Sequence, residues 1–283
     1  MSGIDKLLGL GIGWRPELAT MIDRRPDLGF VEVTAEHFPG ARVPAAIDRL
    51  RERGMAVIPH GISLSLGGAE PVDRDRVRAL ADLAQRVGAP LVSEHVAFVR
   101  AGGVESGHLL PVPRTRAALE TLVENVKVAR DILGPVPLAL ENISTLFEWP
   151  DAQVPEADFV TELLDRTDSL LLLDIANVWA NAKNLGGDPI ALLRGLPLHR
   201  LAYCHVGGGE ERDGVYHDTH AASVPAGVFD LVADLCALTD PPGVMIERDD
   251  HFPSEREIQA ELDRLAQSVS AGAQRRREVA SVG

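Results

Sequence analysis

Short apolar runs recur along the chain, and each is followed by a loop and then a segment whose apolar positions repeat near every 3.6 residues. The runs are Leu8–Gly13, Phe30–Thr34, Ala56–His60, Leu91–Ala97, Pro137–Asn142, Leu170–Val178, Leu201–Val206 and Val244–Arg248. The helical segments between them are Arg15–Arg25, Pro44–Arg53, Asp73–Val87, Thr115–Leu133, Glu156–Asp165, Pro189–Arg194, Ala226–Leu238 and Glu255–Val269. Strands that alternate with helices make parallel βαβ units, and eight of them predict an α/β fold closed as a (β/α)8 TIM barrel. An open doubly wound sheet would place a G-x-G-x-x-G turn after the first strand, and Gly9, Gly11 and Gly13 do not match that spacing.

Helix-start signals agree. Pro44, Pro113 and Pro225 read as first-turn prolines and Asp73 as an N-cap. Residues 1–271 read as one barrel domain. Residues 272–283, polar and Arg-rich, read as a flexible C-terminal tail.

The 283 residues suit such a barrel, which takes about 250. Aromatics supply only 4% of the chain, so the core is expected to be aliphatic. A net charge of -14 repels phosphate, which disfavours nucleic acid and anionic membranes as partners. The N-terminus shows no cleavable leader and no run is long enough to span a bilayer, so a cytoplasmic protein is expected. Cys204 and Cys236 form no CxxC pair. Cys204 should face the helix layer because His205, its neighbour on the strand, faces inward.

Ionisable residues fall where a barrel builds its active site, at the C-terminal ends of the strands: His60, Glu94 with His95, Glu141 with Asn142, Asp174 with Asn177, His205, and Glu247. The loop after the seventh strand adds His217-Asp218-Thr219-His220. Each has a plain structural explanation. A lone strand-end histidine is more often a hydrogen-bonded structural group, Glu94 could orient His95, and Asp174 could cap the next turn. Six such coincidences at one barrel mouth favour convergence on cations, which offset the cost of burying carboxylates. Imidazole and carboxylate without thiolate suit iron, manganese or zinc, and the donors outnumber those one ion takes. Glu141, ending the central strand, is the expected bridge. His37, His108 and His251 lie in loops, His199 reads as structural, and His217 is open to either reading. Gly67 and Gly68 read as a loop over the mouth, without a lysine to make a phosphate cradle.

The segments GLGIGWRPEL, PHGISLSLGGAEPVD, LVSEHVAF, HLLPVPRT, LALENIS, LLLDIANVWANAKNLGGDP, CHVGG, DTHAASVP and MIERDDHFP resemble, in order, the multinuclear non-haem iron-dependent oxidases, the barrel family related to methanobactin-type peptide-modifying oxidases. The resemblance implies two or three iron ions (Fe2+/Fe3+) and O2 as co-substrate. One ion would be held by His60, His95 and Glu141, a second by Glu141, Asp174, His205 and Glu247, and a third by Asn177, Asp218 and His220. It further implies oxidative modification of a ribosomally synthesised precursor peptide at Cys, Asp or Asn, with a separate peptide-recognition protein. Glu36-His37, Gly107-His108, Gly209 and Glu247-Arg248 depart from the family pattern. Glu36, His37, Glu94, His108 and Arg248 are therefore candidates to support the ligands or meet the substrate. Two other readings remain: a divalent-metal isomerase or hydrolase on a xylose-isomerase-like barrel, and a non-catalytic metal-binding protein.

Overall fold

All eight apolar runs pair side by side in one parallel sheet. The computed structural model describes residues 8–282. In chain order it runs β1 (Gly9–Gly13), α1 (Ala19–Arg24), β2 (Leu28–Thr34), α2 (Ala45–Glu52), β3 (Ala56–Gly61), α3 (Arg74–Val87) and β4 (Val92–His95). A hairpin of β5 (Ala97–Ala101) and β6 (Val104–Pro111) follows, then α4 (Arg116–Leu133), β7 (Leu138–Glu141), α5 (Glu156–Thr167) and β8 (Leu170–Asp174). Next come α6 (Ile175–Leu185), α7 (Pro189–Gly195), β9 (Leu201–Val206) and a second hairpin of β10 (Glu210–Arg212) and β11 (Val215–His217). The last elements are α8 (Ala226–Leu238), β12 (Gly243–Ile246) and α9 (Glu255–Val282). Pairing of β1 with both β2 and β12 closes the barrel as β1-β12-β9-β8-β7-β4-β3-β2. This is the expected single-domain TIM barrel.

Side-chain alternation divides the core in two. Phe30, Ile58, Ala139, Leu172, Tyr203 and Met245 fill the barrel interior. Val31, Val57, Leu140, Leu173, Cys204 and Val206 face the helices in a second apolar cluster. Cys204 and Cys236 both lie in that outer cluster, buried and free. Two residues further along the inward series, the same strands carry Glu32, His60, Glu141, Asp174, His205 and Glu247. An apolar floor thus supports a polar layer at the C-terminal mouth.

Five helices start on a side-chain cap: Asp73 for α3, Thr115 for α4, Asp174 for α6, Asp188 for α7 and Ser254 for α9. Pro44 and Pro225 sit one residue before their helices rather than inside the first turn. Pro113 precedes the Thr115 cap.

Two expectations are corrected. The apolar run Leu170–Val178 is a strand only to Asp174, because the Asp174 carboxylate accepts the Asn177 N–H and turns the chain into α6. The segment expected as a tail is helical to Val282. It is tied to α8, since Arg275 pairs with Asp234 at 2.8 Å and Arg276 with Asp240 at 2.7 Å, and Arg276 also donates to the Cys236 carbonyl at 2.9 Å. Of the arginines that made this stretch look solvated, Arg276 caps the end of the neighbouring helix and Arg275 pairs with a carboxylate on it. Gly283 and residues 1–7, on which the leaderless reading partly rests, lie outside the described residues.

Candidate metal centre

Neighbouring strands end at similar heights, so their last inward residues meet. His60 Nε2 and His95 Nε2 lie 3.5 and 3.4 Å from Glu141 Oε2. The other carboxylate oxygen of Glu141 lies 3.1 Å from His205 Nδ1, which is 3.0 Å from Glu247 Oε2. His220 brings Nδ1 to 3.3 Å from Glu247 and Nε2 to 2.9 Å from Asp218 and 3.8 Å from Asp174. Four overlapping groups result, each with ligand atoms within 4.8 Å of one another: His60-His95-Glu141, Glu141-Asp174-His205, Glu32-His205-Glu247 and Asp174-His220-Glu247.

The local electrostatics call for a cation. Glu141 Oε2, Asp174 Oδ2, Asn177 Oδ1 and Asp218 Oδ1 are buried without a hydrogen-bond partner. Such orphaned groups are rare and costly in a protein interior. Burial, then the Asp218 and Glu141 carboxylates, push the Asp174 carboxyl up to about 8. Burial opposes a charge on His95, but Glu141 and Glu94 outweigh it and carry the imidazole to about 9. Burial likewise opposes the Glu141 charge, and His205 and His95 prevail to hold it well below the usual carboxylate range. A metal ion, or several, would satisfy these lone pairs, and the residues present fit one.

Each histidine is oriented from behind. Glu94 Oε1 lies 3.2 Å from His95 Nδ1 and accepts the His95 backbone N–H at 2.8 Å, while its other oxygen accepts the Leu64 N–H. Ser93 holds His60 Nδ1 at 2.9 Å, Glu32 holds His205 Nε2 at 2.8 Å, and Asp249 lies 3.3 Å from His220 Nδ1. Partners of this kind fix which ring nitrogen is presented to a metal. Asn142 ties the site's central strands together. Its Oδ1 accepts the Asp174 N–H at 2.9 Å, and its Nδ2 donates to the Asp174 carbonyl at 3.0 Å. Asn177 Nδ2 donates to the Asn142 carbonyl, which leaves Asn177 Oδ1 with the orphaned oxygens.

Three glycines after β9 let the His220 loop settle onto the mouth. A Cβ on Gly207 would stand 2.5 Å from His220 Cδ2, one on Gly208 2.3 Å from the Ala222 carbonyl, and one on Gly209 2.0 Å from the His217 carbonyl. Above the polar layer lies an open cavity of about 470 Å³, walled by Glu36, His60, His95, His108, Asp218 and Glu247 among others.

Eight of the nine residues expected as ligands converge at this mouth; the ninth, Asn177, is held beside Asp174 and Asn142, hydrogen-bonded through its N–H and Nδ2. Of the five expected to support them or meet substrate, Glu94 sits behind His95, and Glu36 and His108 wall the cavity. Two are not brought there. His37 is exposed on a short turn away from the cavity lining. Arg248 points into the helix layer and pairs with Glu261 of α9 at 3.1 Å, because the residue after the inward-facing Glu247 faces outward. Sequence reasoning missed Glu32, Ser93, Tyr203 and Asp249. Glu32 was detectable, since it shares the inward face of its strand with Phe30.

A closed parallel barrel carrying overlapping histidine and carboxylate groups at its C-terminal mouth defines a TIM-barrel protein with a candidate metal centre. The chain belongs to the family described as "RiPP precursor modification enzyme MbnB/TglH/ChrH", which matches residues 9–270. A family of that description implies a precursor peptide as substrate. A "UPF0276 protein" of Streptomyces avermitilis is 50% identical over 269 residues, covering 93% of this chain and 55% of the relative, so the chain spans about half of that protein's length. A "UPF0276 protein" of Caulobacter vibrioides is 37% identical over 268 residues, covering 93% of this chain and 95% of the relative. Among solved structures, an L-ribulose 3-epimerase superposes with a TM-score of 0.59 at 15% identity, over 96% of this chain and 97% of that one. That likeness concerns the fold alone. No helix among the described residues is long and apolar enough to cross a membrane.

Proposed function

We propose that this protein uses two or three iron ions and O2 to oxidise a Cys, Asp or Asn residue of a ribosomally made precursor peptide. The observation that carries the reading is the set of orphaned buried oxygens on Glu141, Asp174, Asn177 and Asp218, with His220 among them, under an open cavity. His60, His95 and Glu141 would hold one ion. Glu141, Asp174, His205 and Glu247 would hold a second, and Asn177, Asp218 and His220 a third. Imidazole with carboxylate is a donor set that suits iron. When bound, the ions would supply oxygen activation and an electrophilic anchor for a substrate thiolate or carboxylate.

The chain's own residues do the positioning. Glu141 spans two ion positions because its two oxygens face different histidines. Glu94 and Asp249 restrain the rings of His95 and His220. Glu36 is anchored by the Ile62 N–H at 2.9 Å and, with His108 on the β5–β6 hairpin, lies where a peptide entering the cavity would touch. Recognition of the rest of the peptide is assigned to a separate protein, as the family resemblance implies. A cytoplasmic setting fits two cysteines that stay unpaired.

The test is metal analysis of protein purified without oxygen, followed by incubation with the precursor peptide with and without O2. Iron at two to three per chain and turnover only with O2 is the expected result. A zinc-only protein with equal turnover in both atmospheres would replace it with the divalent-metal isomerase or hydrolase reading. Metal uptake with no turnover of any peptide would favour a binding protein.

A further inference from the structure

Beneath the metal centre, five buried side chains from four strands form one unbroken line of hydrogen bonds. His60 Nδ1 lies 2.9 Å from Ser93 Oγ, and Ser93 Oγ lies 2.7 Å from Tyr203 OH. The Tyr203 hydroxyl donates to Glu32 Oε2, and the same oxygen lies 2.8 Å from His205 Nε2. None of the five is more than 3% exposed. Tyr203 stands among the apolar residues of the barrel interior, with its hydroxyl reaching the polar layer.

The direction of the protons along this line follows from donor and acceptor inventory. An ionised carboxylate only accepts, so Glu32 must receive from both Tyr203 and His205. Tyr203 has a single proton and spends it on Glu32, so Ser93 must donate to the Tyr203 oxygen. With its own proton committed, Ser93 must accept from His60 Nδ1–H. Every donor therefore points toward Glu32. His60 is left with its lone pair on Nε2 and His205 with its lone pair on Nδ1, the two atoms that face Glu141.

We infer that Glu32, acting through Tyr203 and Ser93, is a positioning residue that sets the tautomers of two histidines serving different metal positions. This inference rests on the proposed metal centre and deepens it. Two ring orientations that could each err separately are referred to one carboxylate. The line also crosses from β2 to β4 and β9, so it braces opposite sides of the barrel floor. Partners behind ligands typically change metal affinity 10–100-fold when removed.

Metal affinity and histidine tautomers test it together. Zinc serves as a diamagnetic probe, titrated into metal-stripped protein, and long-range 15N–1H correlation spectra of the loaded protein identify the protonated nitrogen of each ring. The wild type should carry the proton on Nδ1 of His60 and on Nε2 of His205. Glu32→Gln should weaken binding at both positions by about tenfold or more. Tyr203→Phe, a change of one hydroxyl in an otherwise intact core, should disturb His60 and spare His205. Ser93→Ala should match Tyr203→Phe, and Ser93→Thr should restore His60. A proton on Nδ1 of His205 in the wild type, or a Tyr203→Phe protein whose His60 spectrum and zinc affinity are unchanged, overturns the inference while leaving the metal centre standing. A wild-type protein that takes up no metal overturns both.

Discussion

Glu141 Oε1 lies 3.1 Å from His205 Nδ1, at the join between two buried groups of ligand atoms. Because the other oxygen of Glu141 serves His60 and His95, neither side of the centre is complete without this residue. Replacing Glu141 with Ala should lower bound iron by two ions per chain rather than one. Activity on the peptide should fall by more than the roughly 100-fold that a partner behind a ligand gives. Metal analysis by mass spectrometry beside single-turnover assays checks this. Loss of one ion only would mean that Glu141 does not bridge.

Metal uptake should follow pH with a definite sign. His95, held at about 9, and Asp174, held at about 8, both carry protons at pH 7 in the metal-free protein. Both must lose them to bind an ion. Apparent affinity should therefore rise between pH 7 and pH 9, by up to about tenfold per unit for each proton released. The same groups govern the metal-free fold. Each has a folded pKa above its unfolded value, so the folded state holds the extra proton and loses stability as pH climbs toward 9. Calorimetry should show the metal-free Tm falling over that interval and bound metal reversing the fall.

At Gly207 an added methyl would stand 2.5 Å from the His220 ring, with the ring's own neighbours Asp218, Glu247 and Asp249 close around it. Gly207→Ala should push His220 off the mouth and leave His60, His95 and His205 in place. The expected outcome is one fewer ion per chain, with the remaining ions bound as before. Iron content and the Mössbauer spectrum of reconstituted protein read this directly.

Arg248 supplies the contrasting case. It is 2% exposed and paired with Glu261, which also accepts the Val224 N–H at 3.0 Å. Arg248→Met would leave the Glu261 carboxylate without its cation. The expected cost is about 3 kcal/mol, the scale for removing one partner of a buried pair. Iron content should not change. Denaturant unfolding of the loaded protein measures the first effect and metal analysis the second.

Most of the barrel was legible because its strands are short, aliphatic and bounded by loops, and because an inward-facing carboxylate at a strand end is conspicuous. Glu32 was harder to see. It sits within Phe30–Thr34, mid-strand in sequence, and in register it stands beside Ile58 rather than His60, so only the closed barrel, which brings His205 Nε2 within 2.8 Å, puts it at the ligands. Tyr203 and Ser93 look like ordinary core and strand residues until the barrel closes and brings β4 and β9 together as neighbouring links of one hydrogen-bonded line. Arg248 misled for the opposite reason. It follows a ligand in sequence, and alternation sends it outward. The two hairpins were invisible as separate elements, since β5 begins where the apolar run Leu91–Ala97 ends and reads as its continuation, and β10 and β11 are only three residues each.

Glu32 comes from the second strand and Glu247 from just past the last, yet both reach His205. A ribosome must therefore finish nearly the whole barrel before the ligand set exists. Fragments emerging earlier offer scattered imidazoles and carboxylates, which grip ions weakly and release them. Loading is thereby deferred until the polypeptide has closed on itself, and the newborn chain is spared from trapping whichever cation it meets first.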